Sequence, residues 1–196
     1  NCRILQYVQE EAGCKVLLAQ KAYSLYKTYP LISQYLSGTT ASGLYEAKLA
    51  REEFSGEVHV FAPAFKDADL EELLEITDHI VFNSERQLRK HGPRCRAAGI
   101  SVGLRINPQC STQGDHALYD PCAPGSRFGV TLDKIPSDLM DLVDGLHFHT
   151  LCEQGSDDLE TTLKAVEAQF GPYLHQVKWL NMGGGHHITR EDYDVD

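Results

Sequence analysis

Residues 38–64 read GTTASGLYEAKLAREEFSGEVHVFAPA, and this stretch decides the fold. The short apolar runs at 38–41 and 58–62 have the length of buried strands. Between them, residues 44–53 carry apolar side chains at helical spacing. Two buried strands that are joined by a crossover helix run parallel to each other. The stretch therefore predicts a parallel strand–helix–strand unit.

The same alternation continues in both directions from this unit. Apolar runs that predict strands lie at residues 16–19, 38–41, 58–62, 79–82, 102–106, 146–150 and 179–182. Helical patterns lie at residues 30–36, 44–53, 69–76, 85–98, 137–143 and 158–174. A further helix precedes them and ends at Gly13. Strands that alternate with helices indicate an α/β fold with a parallel sheet.

The strand ends distinguish between two α/β folds. A dinucleotide-binding sheet carries GxGxxG after its first strand, whereas residues 16–22 read VLLAQKA. Polar residues follow almost every predicted strand at its carboxyl end, which is typical of a (β/α)8 TIM-type barrel. Such a barrel has about 250 residues. We therefore expect residues 1–196 to be one incomplete barrel domain, truncated after about seven strands and lacking the eighth.

Composition narrows the class of partner. Lys and Arg number 18 against 28 Asp and Glu, and the resulting net charge of −10 disfavours binding to nucleic-acid phosphates. No apolar run approaches the roughly 18–20 residues of a membrane span. The six cysteines include no CxxC pair, so we expect free thiols in a reducing cytoplasm. These features predict a cytoplasmic protein that binds neither nucleic acid nor membrane.

Two strand ends carry groups that could bind a phosphorylated carbonyl compound, an amine for the carbonyl and a glycine loop for the phosphate. Lys21 follows the first strand directly, where partial desolvation would favour a nucleophilic amine, although a solvated loop lysine is the alternative. Gly183, Gly184 and Gly185 end the seventh strand and precede a helix that is predicted to begin at Thr189. Barrels commonly bind phosphate after strands seven and eight, so a phosphate cradle is favoured over a plain turn.

The histidine-rich segments leave two hypotheses open. His147 and His149 lie two residues apart in a predicted strand, so we expect both side chains on one side. Together with the histidines at 186–187 they could bind a metal. The first four strand ends, however, carry Lys21, Ser42, Pro63 and Asn83. Because these are not the carboxylates that a barrel metal site needs, we expect no metal and favour ring stacking of His149 on an aromatic cofactor.

Three other features concern the rim of the predicted barrel. Arg105 ends the fifth strand, where arginine contacts an anion, a cofactor heteroatom or a surface acid. Glu46 begins the second helix of the alternating pattern, where it complements the helix dipole. Residues 107–129 form a long insertion that is expected to be an active-site wall containing Tyr119 and Phe128.

Six segments carry a family resemblance. They are LLAQKAYS (17–24), TTASGLYEAKLA (39–50), GLRINP (103–108), CAPGSRFGVT (122–131), GLHFHTLCEQ (145–154) and WLNMGGGHHIT (179–189). In this order they resemble the fold-type III pyridoxal 5'-phosphate (PLP) decarboxylases, relatives of the ornithine and diaminopimelate decarboxylases. HFHTLCEQ and GGGHHIT indicate the branch that acts on carboxynorspermidine and carboxyspermidine. The resemblance extends over essentially the whole chain.

The resemblance implies a role for each candidate residue. Lys21 would be the catalytic residue that holds PLP covalently, and His149 would stack on its pyridine ring. The implied cofactor-binding residues are Lys21, Ser42, Glu46, Arg105, His149, Gly183, Gly184 and Gly185. The RFG sequence at 127–129 matches a motif behind the barrel. Cys152 stands where ornithine decarboxylases have a phosphate-binding serine.

The implied function is decarboxylation of carboxynorspermidine or carboxyspermidine to norspermidine or spermidine, in polyamine biosynthesis. The resemblance further implies a homodimer with shared active sites and a polyamine-like amino-acid substrate. It places a glutamate, a cysteine, an aspartate and a C-terminal β-domain of the family beyond these 196 residues, so we expect this chain alone to be inactive. The alternatives are a fold-type III decarboxylase of the diaminopimelate, ornithine or arginine type, a metal-dependent barrel hydrolase, or a non-catalytic PLP-binding or regulatory protein.

Overall fold

The computed structural model describes residues 1–114, 118 and 120–195. The chain divides into two compact units. Unit 1 comprises Asn1–Val81 with Pro93–Ser101, and unit 2 comprises Phe82–Gly92 with Val102–Asp196.

Parallel strands alternate with helices along the chain. The strands are β1 (Leu17–Ala19), β2 (Gly38–Ala41), β3 (Glu57–Phe61), β4 (His79–Phe82), β5 (Ser101–Arg105), β6 (Gly145–His147) and β7 (Trp179–Asn181). The α-helices are α1 (Cys2–Ala12), α2 (Tyr29–Ile32), α3 (Leu44–Glu53), α4 (Asp67–Ile76), α5 (Glu85–Ala97) and α6 (Ser156–Leu174). Strand order in the sheet follows the chain from β1 to β7. The alternation predicted from the sequence is confirmed.

Three local predictions differ from the structure in the type or the extent of the helix. Residues 137–143 form a 3₁₀ helix, Ser137–Leu142, because the chain enters from Pro136 and closes three-residue turns such as Leu139 N to Pro136 O (2.9 Å). The helix predicted at 30–36 is only α2, preceded by a 3₁₀ turn at Tyr26–Thr28. Residues 188–192 form turns, and no helix begins at Thr189 within the described residues 186–195.

In each unit, the aspartate that directly precedes one strand forms hydrogen bonds with the neighbouring strand. In unit 1, Asp78 donates its N–H to Val58 O (2.9 Å) and accepts Val58 N–H at Oδ2 (2.8 Å). In unit 2, Asp144 makes the same two hydrogen bonds with Val102, at 2.7 and 3.1 Å. Each carboxylate thus extends the backbone ladder by one side-chain bond. This arrangement sets the register of β3 against β4 and of β5 against β6.

Each unit buries apolar side chains of its own. In unit 1, Tyr29 packs edge-on against Phe54 with ring centroids 5.6 Å apart, and Ile32 and Leu36 belong to the same cluster. In unit 2, the buried side chains include Leu104, Leu146, Phe148, Val166 and Phe170. Most of these residues lie in the apolar runs and helical patterns of the sequence, whereas Tyr29 and Phe54 lie one residue outside the helical patterns predicted at 30–36 and 44–53.

All six cysteines lie within the described residues as free thiols. Within residues 1–114, 118 and 120–195, none of the helices is both long and apolar enough to cross a membrane.

Candidate functional site

Lys21 lies in the turn directly after β1. Ala19 O accepts hydrogen bonds from the N–H groups of Ala22 (3.0 Å) and Tyr23 (3.1 Å), which close this turn. The Lys21 side chain is exposed, so the solvated loop lysine, which the sequence left open, describes it, and partial desolvation does not. Its amine is accessible to a carbonyl compound.

Buried Gln20 anchors the residue before this lysine. Its N–H donates to Thr40 O (3.2 Å), and its side-chain Nε2 donates to Glu46 O (2.9 Å). Tyr29 donates its hydroxyl to Gln20 Oε1 (3.2 Å), and burial, followed by the charge of Glu46, raises the pKa of Tyr29. The sequence analysis missed Gln20, although a glutamine directly after an apolar strand is the signal that could have found it. The network holds the backbone beside Lys21 in one position.

Glu46 and Ser42 meet where α3 begins. Glu46 Oε2 accepts the N–H of Ser42 (2.6 Å), and Gly43 is the N-cap of the helix. A carboxylate in the first turn satisfies a free N–H and complements the helix dipole. Glu46 therefore caps α3, as its position in the sequence suggested, and a cofactor contact by Glu46 or Ser42 stays a prediction.

Gly183, Gly184 and Gly185 form a loop after β7, called here the glycine loop. Gly183 and Gly185 have φ of +77° and +94°, the left-handed region that favours glycine. A Cβ on Gly183 would lie 2.5 Å from Phe148 O, and one on Gly185 would lie 2.2 Å from Leu151 O. A Cβ on Gly184 would meet only His149 Cε1, at 3.9 Å. The loop thus packs its outer glycines against the chain and leaves open space at Gly184.

Asn181, the last residue of β7, organises this region, and the sequence analysis missed it. Its Oδ1 accepts the N–H of Gly183 (2.8 Å) and lies 3.0 Å from Nδ1 of His147. The signal available in the sequence was a polar residue that ends an apolar strand two positions before the glycines. The side chain of Asn181 joins the loop to the end of β6.

His149 is held at its ring by a backbone group and at its own carbonyl by a side chain. Gly184 donates its N–H to His149 Nδ1 (3.1 Å), so that nitrogen is an acceptor and the proton of the neutral ring lies on Nε2. Arg105 donates from Nη2 to His149 O (3.0 Å). The expectation that His147 and His149 share a strand is wrong, because β6 ends at His147. The two rings are 6.4 Å apart and inclined by 28°.

His147 is buried and neutral. Burial, then the charge of Arg105 and the proximity of His149, lowers the pKa of His147 to about 3. Its Nδ1 contacts the amide oxygen of Asn181, with which a neutral imidazole bonds by donating a proton. His147 is therefore a buried histidine that is hydrogen-bonded at Nδ1.

Arg105 is buried as well, which excludes the surface ion pair as its role. Its guanidinium lies 4.8 Å from the ring centroid of Phe128, and burial lowers its pKa to about 10. Phe128 belongs to the insertion predicted as an active-site wall, and Tyr119 lies outside the described residues. Arg105 thus links the insertion to the backbone at His149.

The RFG sequence is fixed by Asn83, at the end of β4. Asn83 donates from Nδ2 to Arg127 O (2.9 Å) and accepts the N–H of Gly129 at Oδ1 (3.0 Å). Gly129 has φ of +78°, and a Cβ there would lie 2.8 Å from the carbonyl carbon of Ile106. Only glycine suits this close approach.

Comparison with known proteins identifies the relatives of this chain. It is 41% identical over 196 residues to carboxynorspermidine/carboxyspermidine decarboxylase of Campylobacter jejuni subsp. jejuni, covering 100% of this chain and 50% of that protein. It is 41% identical over 197 residues to carboxyaminopropylagmatine decarboxylase of Synechocystis sp., with the same coverage. This chain is a homologue of the carboxynorspermidine/carboxyspermidine decarboxylases. It spans about half the length of these curated relatives. No protein-family model matches the sequence.

Solved structures confirm the fold class. Carboxynorspermidine decarboxylase of Campylobacter jejuni, complexed with norspermidine, matches with a TM-score of 0.89 and 40% identity, over 99% of this chain and 49% of that one. A diaminopimelate decarboxylase matches with a TM-score of 0.76 and 20% identity, over 98% of this chain and 49% of that one, and shows the fold alone. The predicted (β/α) barrel fold class is therefore confirmed, and the described residues form seven parallel strands in one sheet.

The residues of this chain fit PLP in chemical type. Unit 2 offers the glycine loop, which has room for an anion beside Gly184, and the oriented ring of His149. Unit 1 offers the exposed amine of Lys21. A glycine loop suits a phosphate, a flat imidazole suits an aromatic ring, and an accessible amine suits an aldehyde.

Proposed function

We propose that the protein containing this chain is a PLP-dependent carboxy-lyase that converts carboxynorspermidine or carboxyspermidine to norspermidine or spermidine in polyamine biosynthesis. The observation that carries the proposal is 41% identity over the entire chain to an enzyme named for this reaction. The TM-score of 0.89 to a carboxynorspermidine decarboxylase complexed with norspermidine supports it. The formal charge of −10 suits a polycationic substrate.

The proposed reaction breaks one carbon–carbon bond. The substrate α-carboxylate leaves as CO2, and the electron pair left on the α-carbon accepts one proton, which gives the amine product. When bound, PLP supplies an electron sink for that pair. Lys21 would hold the cofactor through its side-chain amine and release it to the substrate amine.

The other predicted residues would bind and orient PLP. The glycine loop would donate backbone N–H groups to the phosphate, and His149 would lie against the pyridine ring with its orientation set by Gly184. Arg105 would act through the backbone at His149, to which it donates. Ser42 and Glu46 would lie near the cofactor at the start of α3, where Glu46 already fixes the Ser42 N–H.

The decisive experiment measures CO2 release from carboxynorspermidine, carboxyspermidine and carboxyaminopropylagmatine by the full protein that contains this chain. Carboxyaminopropylagmatine is a second candidate substrate because a relative named for it is equally similar, at 41% identity. We expect the highest kcat/KM with one of the first two. A preference for carboxyaminopropylagmatine would replace the substrate assignment. Release of CO2 only from diaminopimelate, ornithine or arginine would overturn it.

A trapping experiment tests Lys21 separately. Borohydride reduction should fix a pyridoxyl group on Lys21, and peptide mapping should locate it. Lys21→Arg should abolish the label, whereas Lys27→Arg, in the nearby 3₁₀ turn, should retain it. A label on another lysine would refute the assignment of the site without affecting the substrate proposal.

We further propose that the protein is a cytoplasmic homodimer with shared active sites. The family resemblance supports the dimer, and six free thiols suit a reducing compartment. Analytical ultracentrifugation of the full protein should give twice the mass of one subunit. Restoration of activity on mixing two different inactive variants would test whether the sites are shared.

A further inference from the structure

A cluster of metal-ligand side chains lies in unit 1, apart from the residues assigned to PLP. Glu57 and His59 are the first and third residues of β3, so their side chains share one face of the sheet. His79 is the first residue of β4 and is the register partner of His59. Parallel pairing of β3 with β4 therefore brings His79 close to His59, which lies 20 residues earlier, and to Glu57 on the same strand as His59. We call Glu57, His59 and His79 the Glu57 cluster.

The three side chains are close and partly shielded. Glu57 Oε2 lies 3.0 Å from His59 Nε2, and the rings of His59 and His79 stack with centroids 4.0 Å apart and planes inclined by 4°. One ligand atom from each residue lies within 4.8 Å of the others. All three side chains are half-buried, so water still reaches the cluster. An ion could enter without unfolding the strands.

We propose that the Glu57 cluster binds one divalent transition-metal ion of the Zn²⁺ type. Two imidazoles and one carboxylate are a donor set that such ions prefer, and zinc sites with two histidines and one glutamate keep a fourth position for water. Bonds of about 2.0–2.2 Å require the ligand atoms to contract around the ion by side-chain rotation on the order of 1 Å. The stacked rings must also tilt so that their lone pairs converge.

The neighbouring Lys15 leaves one carboxylate oxygen for the ion. Its Nζ donates to Glu57 Oε1 at 2.5 Å, while Oε2 faces His59. A metal would take the place of the proton between Oε2 and the imidazole. It would join β3 to β4 through their side chains, and this role is independent of the decarboxylase proposal.

The first experiment is a metal titration of the full protein with Zn²⁺, after chelator treatment and alkylation of its thiols. Alkylation removes thiolate ligands, which the six free cysteines would otherwise supply. We expect one high-affinity Zn²⁺ per chain by competition with a chromophoric chelator. Co²⁺ in its place should give the visible spectrum of a nitrogen- and oxygen-bound ion, without a thiolate charge-transfer band. Absence of stoichiometric binding would overturn the proposal.

Variants then locate the ion. His59→Gln, His79→Gln and Glu57→Gln should each weaken Zn²⁺ binding at least tenfold. His175→Gln, which alters an exposed histidine after α6, is the matched control and should leave binding unchanged. Binding that survives both histidine substitutions in the cluster would place the ion elsewhere and refute the assignment.

Two controls test whether the variants are folded and whether the ion binds the folded protein. Circular dichroism of each variant must match the parent protein, and Glu57→Gln, which changes a partly exposed residue isosterically, serves if a histidine variant fails to fold. In the parent protein, Zn²⁺ should raise the unfolding temperature, because a ligand of the folded state stabilises it. In Glu57→Gln that rise should be reduced, and an equal rise in both proteins would contradict the site.

Discussion

Each of the two units contains a close pair of histidines, but the groups that the two pairs contact differ in charge. In unit 1, His59 and His79 stack across neighbouring strands at 4.0 Å, and a carboxylate oxygen lies 3.0 Å from His59. In unit 2, His147 and His149 are 6.4 Å apart and bind a side-chain amide and a backbone N–H. The sequence HxH of the second pair suggests a metal more strongly than the first pair does. The structure assigns the carboxylate to the first.

This difference shows that an imidazole's partners decide what it can do. A carboxylate neighbour supplies negative charge and a third ligand atom, which suit a metal ion. The amide of Asn181 and the N–H of Gly184 supply no charge, and they fix each ring in one orientation. The pair in unit 2 is therefore suited to present a flat neutral surface.

The largest expected effect concerns the glycine loop that holds the pair in unit 2. Gly185→Ala places a Cβ 2.2 Å from Leu151 O at a φ of +94°, so we expect a loss of about 2–4 kcal/mol in the free energy of unfolding. Gly184→Ala, which adds a methyl group in open space, should cost less than about 1 kcal/mol. Urea denaturation measures both. Equal losses would show that the loop is not packed as described.

A second prediction tests whether half-buried His59 in unit 1 and buried His147 in unit 2 are neutral. Burial first, with nearby positive charge second, lowers the pKa of His59 to about 4 and of His147 to about 3. The unfolded chain, with a histidine pKa near 6.5, therefore takes up protons first as the pH falls. Each histidine should cost about 2 kcal/mol of stability between pH 6.5 and 5, and none above that range.

Urea denaturation at pH 7 and pH 5 measures this loss. His59→Gln and His147→Gln should each remove about 2 kcal/mol of the pH dependence. If the pH dependence survives both of these substitutions, groups other than His59 and His147 cause it.

Much of the fold was predictable because it depends on local pattern. The helix predicted at 44–53 is α3 residue for residue, and all seven strands lie within two residues of their predicted starts. The early end of β6 was not predictable from its apolar run. There Arg105 binds the carbonyl of His149, a contact between residues 44 positions apart.

The site was predictable only where its groups are contiguous or match a family motif. Gly183, Gly184 and Gly185 are visible as a triplet in the sequence, and their role as a phosphate cradle stays a prediction. Glu57, His59 and His79 were not found, because only the register of β3 against β4 brings them together. Asn181 was missed for a related reason, since its two partners lie on opposite sides of it in the chain.

A third, smaller effect concerns His149 and separates stacking from metal ligation. His149→Phe keeps a flat apolar ring and should retain bound PLP, whereas His149→Ala should weaken binding by about 0.5–1.5 kcal/mol beyond the lost contact area. Absorbance and fluorescence titration of PLP into the full protein measure both variants. Equal loss of activity in both, with rescue by zinc in protein that holds no PLP, would favour the hydrolase alternative instead.

The smallest effect on stability is expected at Lys15, and it tests the pair in unit 1. Lys15 and Glu57 form an ion pair of exposed or half-exposed side chains, so Lys15→Met should cost less than about 1 kcal/mol. Lys48→Met, which removes an exposed ion pair between Lys48 on α3 and Glu72 on α4, is the control and should cost about the same.

The two variants should differ in their affinity for Zn²⁺. Loss of a positive charge a few ångströms from a divalent ion should tighten Zn²⁺ binding up to about tenfold in Lys15→Met alone, by the Coulomb interaction in a water-like dielectric. Isothermal titration at low and high salt measures the change, which should shrink as the salt screens the lysine charge. If Lys15→Met and Lys48→Met bind Zn²⁺ alike at low salt, the ion does not lie beside Glu57.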